Sequence, residues 1–170
     1  MAKTRSKGAP TKIRRNVQSY GDPYLPKLAP GEAAVCEECH AIYQRRHWYL
    51  DEQEFARLAV QPATRIIQCP ACRKIRDKFP EGEVTVSGAF ATAHRNEVIN
   101  RIHNEEVRAK GLNALERIVE LTDKEGVIRV TTTNEKLAQR IGRALQRAFQ
   151  GTVKYKWSED TKYLRVQWTR

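Results

Sequence analysis

A chain of 170 residues has room for one or two small domains, and an apolar content of 40 % allows a real but modest core. Lys and Arg number 31 against 20 Asp and Glu, a formal charge of +11, so the expected partner is a polyanion: nucleic acid first, an anionic membrane surface or an acidic protein otherwise. No apolar run approaches the roughly eighteen residues of a membrane span. The start Met1-Ala-Lys-Thr-Arg has no apolar signal region and neither terminus carries a lipidation motif, so the expected compartment is the cytoplasm.

Residues 1–20 carry Lys3, Arg5, Lys7, Lys12, Arg14 and Arg15, and no acid precedes Asp22. Gly8, Pro10 and several Ser and Thr break any periodicity, so this stretch reads as a disordered basic arm that neutralises phosphates or solubilises the chain. Pro23, Pro26 and Pro30 forbid helix in the lead-in that follows, where Tyr24, Leu25 and Leu28 are expected to pack onto the next module.

Residues 21–80 are organised by the four cysteines of the chain: Cys36-Glu-Glu-Cys39, twenty-nine residues, then Cys69-Pro-Ala-Cys72. Each C-x-x-C turn holds two thiolates on one side of a tight loop, and two turns complete a tetrahedral cage for Zn2+. A thioredoxin-like pair would use one such motif after a hydrophobic strand, and disulfides need an oxidising compartment. Cys36-Glu-Glu-Cys39-His40 also matches the haem attachment pattern, but that leaves Cys69 and Cys72 unused. Zinc and a rubredoxin-like iron both suit four thiolates. Four cysteines fill the coordination sphere, so His40 and His47 are not needed as ligands and the metal is structural. Between the knuckles, residues 41–50 are alternating and aromatic, with Trp48 and Tyr49 assigned to the core. Asp51–Val60 reads as a short helix with acids in its first turn, ended by Pro62, and Arg73–Phe79 as a helical turn. This order is that of a treble-clef or ribbon finger. Arg45, Arg46, Arg73, Lys74, Arg76 and Lys78 flank the knuckles as candidate RNA contacts.

Residues 81–170 read as a small antiparallel α+β domain, αββαββ, so the fold class is α+β. Val84–Phe90 is a short strand. A helix over about 93–110 carries Val98, Ile99, Ile102 and Val107 on its apolar side, with Gly111 just past its end. Residues 115–122 and 127–133 form a hairpin about the turn 123–126; a helix over 112–122 is the alternative. Asn134 caps and Gly151 ends the clearest helix, 135–150, which buries Leu137, Ala138, Ile141, Leu145, Ala148 and Phe149. Lys136, Arg140, Arg143 and Arg147 recur at steps of four, three and four, one cationic stripe that repels itself unless a polyanion receives it. Residues 152–158 and 163–168 alternate strictly and close the chain as two strands. The sheet expected from this half is four-stranded and antiparallel, helices on one face, the other open and basic.

The paired knuckles, the helix after Gly88 and the run Val130-Thr-Thr-Thr-Asn-Glu-Lys-Leu-Ala-Gln-Arg-Ile-Gly-Arg-Ala-Leu145 resemble a small bacterial family of double C-x-x-C zinc proteins of unsettled function. More distantly, the chain is similar to the zinc-bearing export adaptor of the large ribosomal subunit and its archaeal counterparts. That family has more than one zinc site and further domains, so its export role does not carry over. The resemblance implies a ribosome or rRNA partner near the tRNA sites at the subunit interface, in hibernation or large-subunit maturation. The metal role carries over to Cys36, Cys39, Cys69 and Cys72; no RNA contact carries over by motif. A zinc-finger adaptor for a protein partner is the other reading. No nucleophile–base–acid set, phosphate loop or open metal position is present, so neither catalysis nor a small-molecule substrate is expected. His94 and His103, nine apart, fall on opposite sides of their helix.

Overall fold

The computed structural model describes residues 23–158 and 161–170. The basic arm, with Lys3, Arg5, Lys7, Lys12, Arg14 and Arg15, lies outside the described residues. Among the described residues the architecture is mixed α+β, with two sheets and five helices.

The first sheet is built from β1 (Ala34–Cys36), β2 (Ala41–Gln44), β3 (His47–Leu50) and β4 (Arg65–Ile67), in the order β3-β2-β1-β4. β4 runs parallel to β1; the other pairs are antiparallel. Alternation assigns its two faces. Val35 and Ile42, with Tyr49, pack against Leu58 and Phe55 of α1 (Glu52–Ala59). Asp51 caps α1, accepting a hydrogen bond from the Glu54 amide at 2.9 Å. Cys36, Ala41 and Trp48 face the other way, toward α2 (Pro70–Arg76). Trp48 is buried as expected, at 4 % exposure. Tyr24 docks against Phe79, just past α2, and under the Arg73 guanidinium of α2. Leu25, expected to pack here, is 55 % exposed.

The second sheet differs from the expected four-stranded antiparallel one. It has five strands in the order β6 (Ile118–Lys124), β7 (Val127–Thr132), β5 (Gly82–Ser87), β9 (Leu164–Thr169), β8 (Thr152–Trp157), and it is mixed. β5 occupies the centre, antiparallel to β7 and parallel to β9. Val84 and Val86 of β5, Ile128 and Val130 of β7, and Leu164, Val166 and Trp168 of β9 share one buried face. It is covered by α3 (Ala89–Ala93), α4 (Arg95–Leu112) and α5 (Glu135–Phe149). The strand expected over 84–90 ends at Ser87. Gly88 stands at φ 109°, and a Cβ there would lie 2.2 Å from the Arg170 carbonyl oxygen, so only glycine lets the chain turn into α3 against the C-terminus.

α4 runs past Gly111 to Leu112 and ends at Asn113. Of its expected apolar side, Val98 and Ile102 are buried, whereas Val107 is 69 % exposed and Ala109 takes the core position. Residues 118–124 are strand, not helix, and Glu125–Gly126 turn with positive φ at both positions, the geometry of a two-residue hairpin loop. Asn134 caps α5 by accepting from the Leu137 amide at 3.0 Å.

Candidate metal centre and cationic surface

The first knuckle is the turn from β1 to β2. The His40 amide donates to the Cys36 carbonyl at 2.9 Å, with His40 at φ 59° closing the loop. The second knuckle is the start of α2, where Cys69 is the cap and Pro70 the first helical residue, its fixed φ already suited to a helix start. Two sites far apart in sequence meet because β1 and β4 run side by side and deliver Cys36 and Cys69 to the same end of the sheet.

All four Sγ atoms lie within 4.8 Å of one another, with Cys36 and Cys72 at 3.9 Å and Cys39 and Cys69 at 3.5 Å. No disulfide joins them. Zn–S bonds of about 2.3 Å place the sulfurs of a tetrahedron about 3.8 Å apart, so the spacing is that of a four-thiolate cage rather than of bonded pairs. Backbone amides of Cys69 and Cys72 donate to the sulfurs of Cys36 and Cys69 at 3.3 and 3.4 Å. Hydrogen bonding within the cluster, with Cys39 first and then Cys69 and Cys72, holds the Cys36 thiol far below the ordinary thiol range. The Cys72 thiol is pushed far up by its hydrogen bonding with Cys36, Cys39 and Cys69. Four cysteine sulfurs at this spacing could hold a metal ion. His40 instead stacks on Phe55 and reaches Glu52 at 2.9 Å.

Sequence reasoning did not find Arg117. Its Nη1 donates to Cys72 Sγ at 3.4 Å. Burial opposes its charge, but the thiolates of Cys72, Cys39 and Cys69 outweigh burial and hold its pKa above the ordinary value. Nothing local in sequence signals this contact, since 45 residues separate the two groups. Residues 113–117 lie between the two sheets: Ala114 is buried with the cysteines, and its amide donates to the Trp48 carbonyl at 3.4 Å.

The basic candidates fall into different surroundings. Arg45 and Arg46 are exposed at the tip of the β2–β3 hairpin, at φ 48° and 64°. Non-glycine residues there cost about 1–2 kcal/mol each, and this turn favours Asn-Gly. Arg76 is exposed but held by Asp77 at 2.8 Å and Gln68 at 2.7 Å. Arg73 lies 5.2 Å over the Tyr24 ring. Lys78, at φ 50°, is exposed just past α2. Lys74 corrects the sequence reading: it is 6 % exposed, and Nζ donates to Glu81 Oε1 at 2.7 Å and to the Thr133 carbonyl at 3.4 Å. A cationic head this buried is a strut between α2 and the second sheet, not a surface contact.

On α5, Lys136, Arg143 and Arg147 are exposed and form no ion pair among the described residues. Arg140 is half-buried and reaches Glu116 at 3.4 Å. Lys74 and Lys136, with Lys162, line one cleft of about 260 Å³ between α2 and the start of α5. The sheet face away from the helices carries Arg129, Lys154, Lys156 and Arg165. Two of these are engaged: Arg129 with Glu83 at 3.4 Å, and Arg165 over the Tyr163 ring at 4.8 Å.

No protein-family model and no curated protein matches the chain. Fold and site together define a mixed α+β protein with a four-cysteine centre fit to hold a metal ion. Among the described residues, no helix is long and apolar enough to cross a membrane.

Proposed function

We propose that this is a zinc-containing ribosome- or rRNA-binding protein of the cytoplasm, acting near the tRNA sites or subunit interface as a hibernation or large-subunit maturation factor. The observation that carries it is the solvent-facing row Lys136, Arg143 and Arg147 on α5, three exposed cations with no ion pair among the described residues. Such a row costs stability in isolation and is repaid by counterion release on a phosphate backbone. Arg45 and Arg46 support the reading, since two arginines are kept where the backbone favours other residues. The ribosome as the particular RNA follows from the motif resemblance. Zinc would be held by Cys36, Cys39, Cys69 and Cys72 and would close the finger; four thiolates leave no open position, which favours a binding protein over an enzyme.

The test is sedimentation of tagged protein through gradients of its own lysate at low and high salt. Co-migration with ribosomes or a subunit precursor that is lost as salt rises is the expected result. A second reading, a finger-based adaptor for a protein partner, is favoured by Val60 and Ile66, 81 % and 59 % exposed, the latter on edge strand β4. Protein confined to the top fractions, RNA-free at both salts, would overturn the RNA reading in its favour.

A further inference from the structure

We propose that the β8 edge of the second sheet, beside α5, binds single-stranded RNA, with Tyr155 and Trp157 as a two-ring stacking platform and Lys136, Arg143 and Arg147 receiving the phosphates. The proposal rests on the RNA-binding reading above and adds the form of RNA and the place where it binds.

Tyr155 and Trp157 pair with Val166 and Leu164 of β9, so the rings continue the apolar face that α5 covers. Val166 and Leu164 are 1 % and 0 % exposed, whereas Tyr155 and Trp157 are 39 % and 46 % exposed. The face extends past the helix, and two aromatic rings are left on it. Same-face neighbours on a strand stand about 7 Å apart, enough for one base on each ring. The other two tryptophans, Trp48 and Trp168, are 4 % and 0 % exposed, so Trp157 is not exposed for want of room in a core.

Gly142 shapes the platform from below. A Cβ there would lie 2.7 Å from Val166 Cγ1 and 3.2 Å from the Tyr155 hydroxyl, so the missing side chain lets the Tyr155 ring lie close along α5. A glycine inside a helix costs about 1 kcal/mol against alanine, and here it allows this close approach. Arg143, the next residue, acts electrostatically on the Tyr155 hydroxyl. The Tyr155 ring and Arg143 are therefore adjacent, and Arg147 and Lys136 lie four residues after and seven before Arg143 on the same exposed side of α5.

The occupant follows from charge and shape. Lys154 and Lys156 stand on the same edge strand, and each copy of the chain carries +11. Lysines on an edge strand and like net charge both oppose pairing with a second copy. Ring faces take bases only where these are unpaired, because a duplex keeps its bases stacked inside. The match is thus to a single strand, with bases on the rings and backbone on α5.

The experiment titrates the full-length, zinc-loaded protein with a uridine dodecamer and, separately, with an RNA duplex of equal phosphate number, following tryptophan fluorescence. Trp157 is the exposed tryptophan, so stacking is expected to quench the emission with the single strand and not with the duplex. Tyr155→Ala and Trp157→Leu are each expected to weaken single-strand binding by about 5- to 150-fold and to leave duplex binding unchanged. Arg143→Ala with Arg147→Ala should weaken both. Single strand and duplex binding alike, without quenching and indifferent to the ring variants, would overturn the platform while leaving RNA binding standing. No binding to either RNA at low salt would overturn both readings. A concentration-dependent dimer that buries Trp157 would assign the edge to self-association and overturn the proposal.

Discussion

Replacing Lys74 with alanine should lower stability substantially and leave RNA affinity almost untouched. Lys74 Nζ sits 2.7 Å from Glu81 Oε1 and 3.4 Å from the Thr133 carbonyl, with the residue 6 % exposed. Glu81 is fixed by its backbone on both sides: its amide donates to the Thr132 carbonyl at 2.9 Å, and its carbonyl accepts from the Leu164 amide at 3.1 Å. The carboxylate therefore cannot follow the lost ammonium into water. Breaking a buried ion pair by removing one partner costs about 3–5 kcal/mol. The Glu81 side chain keeps 16 % of its exposure, which places the loss near the lower end, about 3 kcal/mol. At about 2–4 °C per kcal/mol for a chain of this size, the midpoint should fall by about 6–12 °C. Circular dichroism melts at matched zinc and protein concentration measure it. A Lys74→Met, Glu81→Leu double variant should recover most of the loss, because no charge is then left buried. In parallel, the slope of log affinity against log salt for RNA should not change. A Lys74→Ala protein that melts with its parent would refute the strut, and a salt slope lower by about one would show that Lys74 binds phosphate after all.

The other predictions concern the metal and the buried acid. Arg117→Met should weaken zinc binding by about 10- to 100-fold in chelator competition and shift the thiolate charge-transfer bands of the cobalt-loaded protein; unchanged affinity and spectrum would make the contact with Cys72 incidental. Stripping the metal should open residues 34–76 and the Ala114 amide to rapid hydrogen exchange while β5, β9 and α5 keep their protection; simultaneous exchange of both sheets would show one cooperative unit instead. Burial raises the pKa of Glu116 against the pull of Arg140, Lys136 and an Asn113 hydrogen bond, with Glu135 adding to the rise. The folded carboxyl then holds its proton more tightly than the unfolded one, so the parent loses stability as pH climbs from about 4 through the folded pKa. Glu116→Gln escapes that loss and should gain on its parent between pH 4 and 7; a difference constant across that range would refute the assignment.

What the sequence carried was local. The four cysteines, the capped helix α5 and the alternation of β8 and β9 depend on neighbours a few residues apart, and periodicity reads such neighbours. The position of β5 is not of that kind. Val84 and Val86 alternate like any half-buried strand, but their parallel partner is β9, about eighty residues on, and nothing in either stretch names the other. Lys74 shows the same limit for charge. In sequence it is one more cation of the same basic run as Arg76 two places later, yet one is buried on Glu81 and the other is exposed, held by Asp77 and Gln68. The difference is set by the side of a two-turn helix that faces the second sheet.

The two last strands bring these limits to the functional question. Val153, Tyr155 and Trp157 on β8 and Leu164, Val166 and Trp168 on β9 follow the same period of two, and the register sets them on the same face. The residues of β9 are 0–1 % exposed, while Tyr155 and Trp157 of β8 are 39 % and 46 % exposed. Alternation tells which face a side chain joins; only the strand's place in the sheet tells whether a helix covers that face. β9 lies inside, beneath α5, and β8 lies at the edge, where α5 reaches Tyr155 at Gly142 but leaves much of its ring and of Trp157 open. The same pattern that makes a core on one strand therefore leaves an aromatic surface on its neighbour, with Arg143 of α5 against its Tyr155.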